Sequence, residues 1–155
     1  MYACGGAFLE RFKVDGGRDF DWFASRNWLE EISFFSRFLM HPAVTDKLPE
    51  PTRGATFDES FTVERGSSLT LDGELARALL SGGAYLDFEG PARDAKRMGA
   101  RVCDALFGDR FLDVEVYRSG SSWSPWFLLP AFDTTFFIVD RREQVVSILV
   151  ATDED

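Results

Sequence analysis

Carboxylates are the residues of this 155-residue chain whose chemistry and spacing suit a catalytic or metal site. Asp133 and Asp140 flank the apolar segment 134–140. The sequence also ends in an acidic run, Asp153, Glu154 and Asp155. If 134–140 pairs with 145–151 in a hairpin, Asp133 lies near the sheet end that carries Asp153. Two carboxylates at one sheet end could bind a hard cation or exchange protons with a substrate.

Other catalytic patterns are missing from the sequence. His41 is the single histidine, so the metal-binding motif HExxH is excluded. Because His41 precedes Pro42, a histidine at the C-terminal end of a helix is the favoured interpretation. The alternative is that His41 is the base of a Ser-His-Asp triad. Cys4 and Cys103 form no CxxC or zinc pattern, and Cys103 is expected to pack in the core. The glycine pairs match no nucleotide-binding loop. We therefore predict no catalytic residue, no metal ion and no cofactor.

The charge balance bears on the class of partner. The formal net charge is −9. Because nucleic acids and anionic membranes are bound mainly by lysine and arginine, we predict that the chain binds neither. The sequence has no apolar segment of membrane-spanning length and no secretory pattern, so a cytoplasmic location is expected. A basic protein partner is favoured, since long-range attraction speeds the encounter. Acidity that serves only solubility is the alternative.

The stretch SSWSPWFLLPAFDTTFFIVD, residues 121–140, combines aromatic side chains with prolines. Pro125 and Pro130 interrupt a regular ladder, so this segment is expected to be an edge strand or an irregular entry to the strand that follows. Trp123 and Trp126 then need not both be buried. Packing at the edge of the core and contact with a protein partner both remain open for these two side chains.

Helical periodicity predicts a first long helix over residues 26–40. Asn27 and Glu30 have the spacing of a capping box. The apolar residues that share one face of this helix are Trp28, Ile32, Phe35, Phe38 and Leu39. The proline-containing residues 41–54 that follow are expected to form a loop between the N-terminal helical part and the rest of the chain.

A second long helix is predicted from Pro91, with Gly108 after its last turn. Its expected buried residues are Ala95, Met98, Gly99, Val102 and Leu106. A basic face lies away from these residues and consists of Arg93, Lys96, Arg97 and Arg101. A solvated face, internal ion pairs and an anionic ligand are the three interpretations of this face. A shorter helix is expected after Asp72 as its N-cap.

Alternating or continuous apolar residues predict strands over 56–64, 111–118, 134–140 and 145–151. The last two are apolar on both faces and should be central, joined by a short polar hairpin. Consecutive strands without a regular βαβ alternation favour an α+β fold. We predict one α+β domain over residues 1–155, with a mainly antiparallel sheet and two to three helices packed on one face.

The C-terminal half resembles a family of small bacterial proteins encoded beside polymorphic or contact-dependent toxins. The pattern is W-x-x-W-F, then D-x-T, then a hairpin that ends in ATDED. The residues that carry it here are Trp123, Trp126, Phe127, Asp133, Thr135 and the run that ends at Asp155. The segment LLSGGAYLDFEGP at 79–91 belongs to the same pattern. The resemblance implies an immunity protein, which is a cytoplasmic, non-enzymatic inhibitor of a cognate toxin.

The leading functional hypothesis is therefore an acidic binding protein that neutralises a basic toxin by direct contact. Its expected contact residues are Trp123, Trp126, Asp133, Asp153, Glu154 and Asp155. One alternative is a small metal-dependent hydrolase that uses Asp133, Asp140 and Asp153. The other alternative is a self-associating domain in which exposed aromatic side chains build a homodimer.

Overall fold

The computed structural model describes residues 6–48, 57, 61–81, 88–121, 123 and 134–152. The strands are β1 (Gly6–Lys13), β2 (Glu64–Arg65), β3 (Val114–Ser119), β4 (Thr134–Asp140) and β5 (Val145–Thr152). The α-helices are α1 (Gly17–Ser25), α2 (Phe34–Met40), α3 (Pro42–Thr45), α4 (Leu71–Ser81) and α5 (Ala92–Phe107). A single turn of 3₁₀ helix, Phe111–Asp113, precedes β3. None of the described helices is long and apolar enough to cross a membrane.

The strands form one antiparallel sheet in the order β1-β5-β4-β3-β2, which confirms the α+β class. Strand β4 is central and pairs with β5 from Thr134↔Ala151 to Asp140↔Val145. The four residues between these strands form the predicted polar turn. The two segments that are apolar on both faces are therefore interior strands of the sheet, as their composition predicts.

Helices cover both faces of the sheet, whereas the sequence predicted helices on one face. Phe137 and Val139 of β4 lie in a cluster with residues from α1, α2 and α3. Phe136 and Ile138, which alternate with them, lie in a second cluster with residues from α4 and α5. Successive side chains of a strand point to opposite faces, so a strand that is apolar throughout needs cover on both sides.

The predicted helix over 26–40 begins only at Phe34, because residues 26–33 form turns. Asn27 and Ser33 have φ values of 56° and 54°, in the left-handed region that is incompatible with a continuous right-handed helix. The capping box of Asn27 and Glu30 is therefore wrong, and Trp28 is exposed rather than buried. Of the other expected core residues of this helix, Phe35, Phe38 and Leu39 are buried, and Ile32 is partly buried. Helix α1 was not predicted.

Three further boundaries differ from the predictions. A strand was expected over 56–64. Of its described residues, only Glu64 is paired in the sheet, as the first residue of β2 (Glu64–Arg65). The strand expected from 111 begins at Val114, and Leu112 in the preceding 3₁₀ turn is 88% exposed. The predicted loop over 41–54 contains helix α3, and its residues 49–54 lie outside the described residues.

Helices α4 and α5 pack closely because a glycine lies at their contact. A side chain at Gly99 of α5 would overlap the backbone carbonyl of Asp72 in α4. Asp72 lies inside the first turn of α4 rather than at its N-cap, and its Oδ2 accepts a hydrogen bond from Lys96 Nζ at 2.9 Å.

Ala95, Leu106 and Cys103 are buried as expected, and burial raises the pKa of the Cys103 thiol to about 11. Met98, expected in the core, is 44% exposed.

Replacing Gly99 by alanine is expected to lower the free energy of unfolding by about 3 kcal/mol, because the new methyl group forces the two helix backbones apart. Urea denaturation of the purified variant measures this change. Gly73→Ala is the matched control, since its methyl group would meet only the end of the Lys96 side chain at 3.7 Å. The control should be neutral or stabilising by up to about 1 kcal/mol. Equal effects of the two substitutions would contradict the close helix contact.

Candidate protein-binding site

Among the contact residues expected from sequence, the structure describes Trp123, and it lies in the core. Its side chain is 1% exposed, and its Nε1 donates a hydrogen bond to Thr135 Oγ1 at 2.9 Å. Its ring stacks on Phe57 with centroids 6.3 Å apart. Trp123 therefore packs in the core and is not a surface contact. The other expected contacts, Trp126, Asp133, Asp153, Glu154 and Asp155, lie outside the described residues.

Asp140 has a structural role at the hairpin between β4 and β5. Its carboxylate is buried, and Oδ2 accepts hydrogen bonds from Arg110 Nη2 at 2.7 Å and Nε at 3.2 Å. Its Oδ1 accepts a third hydrogen bond from the backbone N–H of Glu143 at 3.0 Å. Thr134 and Thr152, the sequence neighbours of Asp133 and Asp153, lie at the opposite end of the hairpin, roughly 20 Å along a seven-residue strand.

Within the described ranges, histidine, cysteine and carboxylate side chains form no group of three that could hold a metal ion. His41 follows the last residue of α2, as predicted, and its Nδ1 also accepts a hydrogen bond from the backbone N–H of Ala43 at 3.2 Å. The ring nitrogen therefore stabilises the start of α3.

The basic face of α5 is partly neutralised. Lys96 pairs with Asp72 at 2.9 Å, and Arg97 lies 3.6 Å from Asp94. Arg93 and Arg101 are exposed and form no ion pair with any residue that the structure describes. The interpretation as internal ion pairs therefore applies to Lys96 and Arg97 only.

An exposed pair of tryptophans on α1 and the turn that follows it was not predicted as a site. Trp22 and Trp28 are 42% and 39% exposed, and their rings pack edge to face with centroids 5.2 Å apart. The buried side chains of α1 are Phe20 and Ala24. Trp22 lies two residues from each of them, on the outer side of the helix.

A guanidinium already lies on this aromatic surface. The Cζ atom of Arg26 is 4.4 Å from the centroid of the Trp22 ring, and Arg26 Nη1 donates a hydrogen bond to the Trp22 carbonyl at 3.1 Å. Aromatic ring faces attract cations, most strongly in tryptophan. The contact shows that this surface can hold an arginine side chain.

Carboxylates surround the tryptophan pair in sequence. Between residues 17 and 33 there are four exposed carboxylates and two exposed arginines. The carboxylates are Asp19, Asp21, Glu30 and Glu31. We call the outer side of α1 and the turn 26–33, with both tryptophans and these four carboxylates, the acidic aromatic surface. Asp21 lies 3.9 Å from Arg141 Nη1, so the surface combines apolar contact area with three carboxylates that form no ion pair with a described residue.

A partly buried hydrogen bond holds the turn 26–33 against the sheet. Tyr117 of β3 is buried, and its hydroxyl donates to Asn27 Oδ1 at 2.6 Å. Burial, reinforced by the negative charge of Glu115, raises the pKa of Tyr117 to about 12. Leu29 is fully buried in the same turn, so the neighbouring Trp28 and Glu30 point outward.

A groove of about 240 Å³ adjoins this turn. Its walls include the buried ring of Phe35 and the partly buried side chains of Phe57, Phe61 and Val63. Its polar lining residues are Glu30, Ser33 and Ser36. The groove therefore has apolar walls and a carboxylate, contributed by the acidic aromatic surface.

The sequence contained one signal for this site, the segment DFDWFASRNW with two tryptophans and two aspartates. The predicted helix over 26–40 placed Trp28 on its buried face. The exposed pair of Trp22 and Trp28 was therefore not recognised from the sequence. The groove gave no local signal, because its walls come from segments more than 20 residues apart.

No protein-family model and no curated protein matches the chain. Among solved structures, the chain is similar to the crystal structure of citrus MAF1, with a TM-score of 0.46 and 14% sequence identity. The match covers 97% of this chain and 90% of that chain.

Replacing Tyr117 by phenylalanine is expected to lower the free energy of unfolding by about 1–2 kcal/mol at neutral pH, because Asn27 Oδ1 loses its donor. The variant should also change the pH dependence. Tyr117 has its ordinary pKa of about 10 when unfolded and about 12 when folded, so its contribution is present below pH 10 and is lost between about pH 10 and 12. Urea denaturation across this range should show a smaller decline in stability for the variant. Parallel pH profiles would contradict the assignment.

Proposed function

We propose that this chain is an immunity protein, which binds a basic toxin domain directly and covers it without catalysis. The observation that carries the proposal is the exposed Trp22–Trp28 pair beside four carboxylates. The resemblance of the C-terminal half to immunity proteins supports the same class. The proposed place of action is the cytoplasm of the cell that makes the toxin.

The acidic aromatic surface has the two components that a tight interface with a basic protein needs. Tryptophan buries a large area with little loss of rotamer freedom and is enriched among residues that dominate binding energy. The surrounding carboxylates attract a cationic partner over distance and raise the association rate. We therefore assign the tryptophans to affinity and the carboxylates to steering and orientation.

The hydrolase alternative has less support. It requires Asp140 as a free ligand or acid, but Arg110 and the Glu143 N–H occupy both oxygens of this carboxylate. A buried carboxylate that is already paired gains little from a metal ion and would have to break the hairpin contacts to bind one.

Self-association through the acidic aromatic surface is opposed by charge, because two copies would bring eight carboxylates together against four arginines. Salt distinguishes the two kinds of complex. A complex with a basic partner weakens as ionic strength rises, whereas a homodimer of like-charged surfaces becomes stronger.

The proposal predicts that the adjacent gene encodes a toxin, and it is tested with the product of that gene, produced as an inactive variant. Calorimetry should show a complex whose affinity falls with added salt. Trp22→Ala and Trp28→Ala should each weaken it about 30-fold, which corresponds to a loss of about 2 kcal/mol. Met98→Ala is the matched control, since Met98 is similarly exposed but lies on α5, across the sheet.

Absence of a complex with that gene product, together with no protection of cells that produce the active toxin, would overturn the immunity assignment. A complex that tolerates both tryptophan substitutions would show that a different surface binds the toxin. A dimer of the chain alone that is lost in Trp22→Ala would favour the self-associating alternative.

A further inference from the structure

We propose that the groove beside Ser33 is an anchor site for one lysine or arginine side chain of a protein partner. This inference rests on the proposed function, because it assigns the chemical nature of the partner residue that the surface recognises. The groove is the one lined by Phe35, Phe57, Phe61 and Val63 together with Glu30, Ser33 and Ser36.

The size of the groove suits one side chain. Its volume is about 240 Å³, below the roughly 300–1,000 Å³ typical of sites that enclose a small-molecule ligand. A single long side chain that enters from the surface fits such a space. Phe35 forms the floor of the groove. Its ring is buried and packs against the rings of Tyr117 and Phe137, with a centroid distance of 4.7 Å in both cases.

The lining matches a side chain that is apolar along its length and cationic at its end. Phe57 and Phe61 pack edge to face with centroids 4.9 Å apart, and with Val63 they offer an apolar wall for a methylene stem. Lysine and arginine bury such stems while their charged ends stay at the surface. The Glu30 carboxylate is exposed, where it can pair with the cationic end.

Glu30 is available for this role. Its carboxylate forms no salt bridge with any described residue, although two arginines, Arg26 and Arg37, lie near it in sequence. An anionic side chain would be repelled by Glu30. A purely apolar one would fill the walls but leave the carboxylate without a counter-ion, so the charge favours a cation.

The groove is continuous with the acidic aromatic surface. Glu30 lies two residues after Trp28 in the turn that Asn27 and Leu29 hold against the core. Glu30 therefore belongs both to the groove and to the turn that carries Trp28. The contact between Arg26 and the Trp22 ring provides an internal example of a guanidinium held by this surface.

Three small probes test the anchor site without a toxin: the Nα-acetyl amides of lysine, arginine and norleucine. Norleucine has an uncharged aliphatic side chain and reports on the walls alone. In titrations followed by ¹H–¹⁵N correlation spectra, the cationic probes should shift the amide signals of Ser33, Ser36 and Val63 in a saturable way. They should bind about threefold to fivefold more tightly than the norleucine probe, as expected for one exposed ion pair.

Two variants with the same change in charge isolate the carboxylate. Glu30→Gln should remove the preference for the cationic probes, whereas Glu31→Gln should retain it, because Glu31 is exposed next to Glu30 but does not line the groove. Ser36→Leu should abolish binding of all three probes by filling the groove. The dispersion of the same spectra shows whether each variant is folded.

The inference is wrong if the norleucine probe binds as tightly as the cationic probes, if the two glutamine variants behave alike, or if the folded Ser36→Leu variant still binds. These outcomes are separate from those for the proposed function. A toxin complex that forms without any probe binding overturns the anchor site alone. Probe binding without a toxin complex overturns the immunity assignment and leaves a cation-binding groove.

Discussion

From Thr135 to Asp140, strand β4 is buried on both faces, and the other layers of the fold are arranged around this constraint. A strand with two apolar faces is stable only when each face is covered. Helices α4 and α5 cover one face, and the N-terminal helices α1–α3 cover the other. The acidic aromatic surface is the outer side of this second cover. Its position follows from the burial of Phe20 and Ala24 on the inner side of α1.

The turn 26–33 is held in a conformation that its own sequence does not favour. Asn27 and Ser33 have left-handed backbones, and such conformations cost on the order of 1–3 kcal/mol each, less for asparagine. Burial of Leu29 and the hydrogen bond from Tyr117 offset this cost. Because the core and this hydrogen bond fix the turn, the backbone positions of Trp28 and Glu30 are set by the fold itself. In the proposed complex, less backbone conformational entropy would then be lost on binding, and more of the contact energy would contribute to affinity.

Features set by local sequence could be predicted, and features set by distant contacts could not. The apolar runs of β4 and β5 and the polar turn between them specify the hairpin, and Pro91 and Gly108 bound α5. The apolar periodicity predicted a helix that includes Asn27. Nothing in the local sequence indicates that the Asn27 side chain accepts a hydrogen bond from Tyr117, 90 residues away. The sequence left both a core and a surface position open for Trp123 for the same reason. Its hydrogen bond to Thr135 and its contact with Phe57 depend on the tertiary fold.

The acidic aromatic surface carries more acidic than basic side chains. The exposed side chains of α1 and the turn 26–33 include four carboxylates and two arginines, whereas α4 and α5 together carry four acidic and five basic residues. In the proposed complex, a cationic partner would therefore be attracted toward the acidic aromatic surface. This attraction would bring the partner to the surface that carries the tryptophan pair. Solvent-exposed charge contributes more to the rate and orientation of an encounter than to affinity, so in the proposed complex the aromatic contact would determine how long the complex lasts.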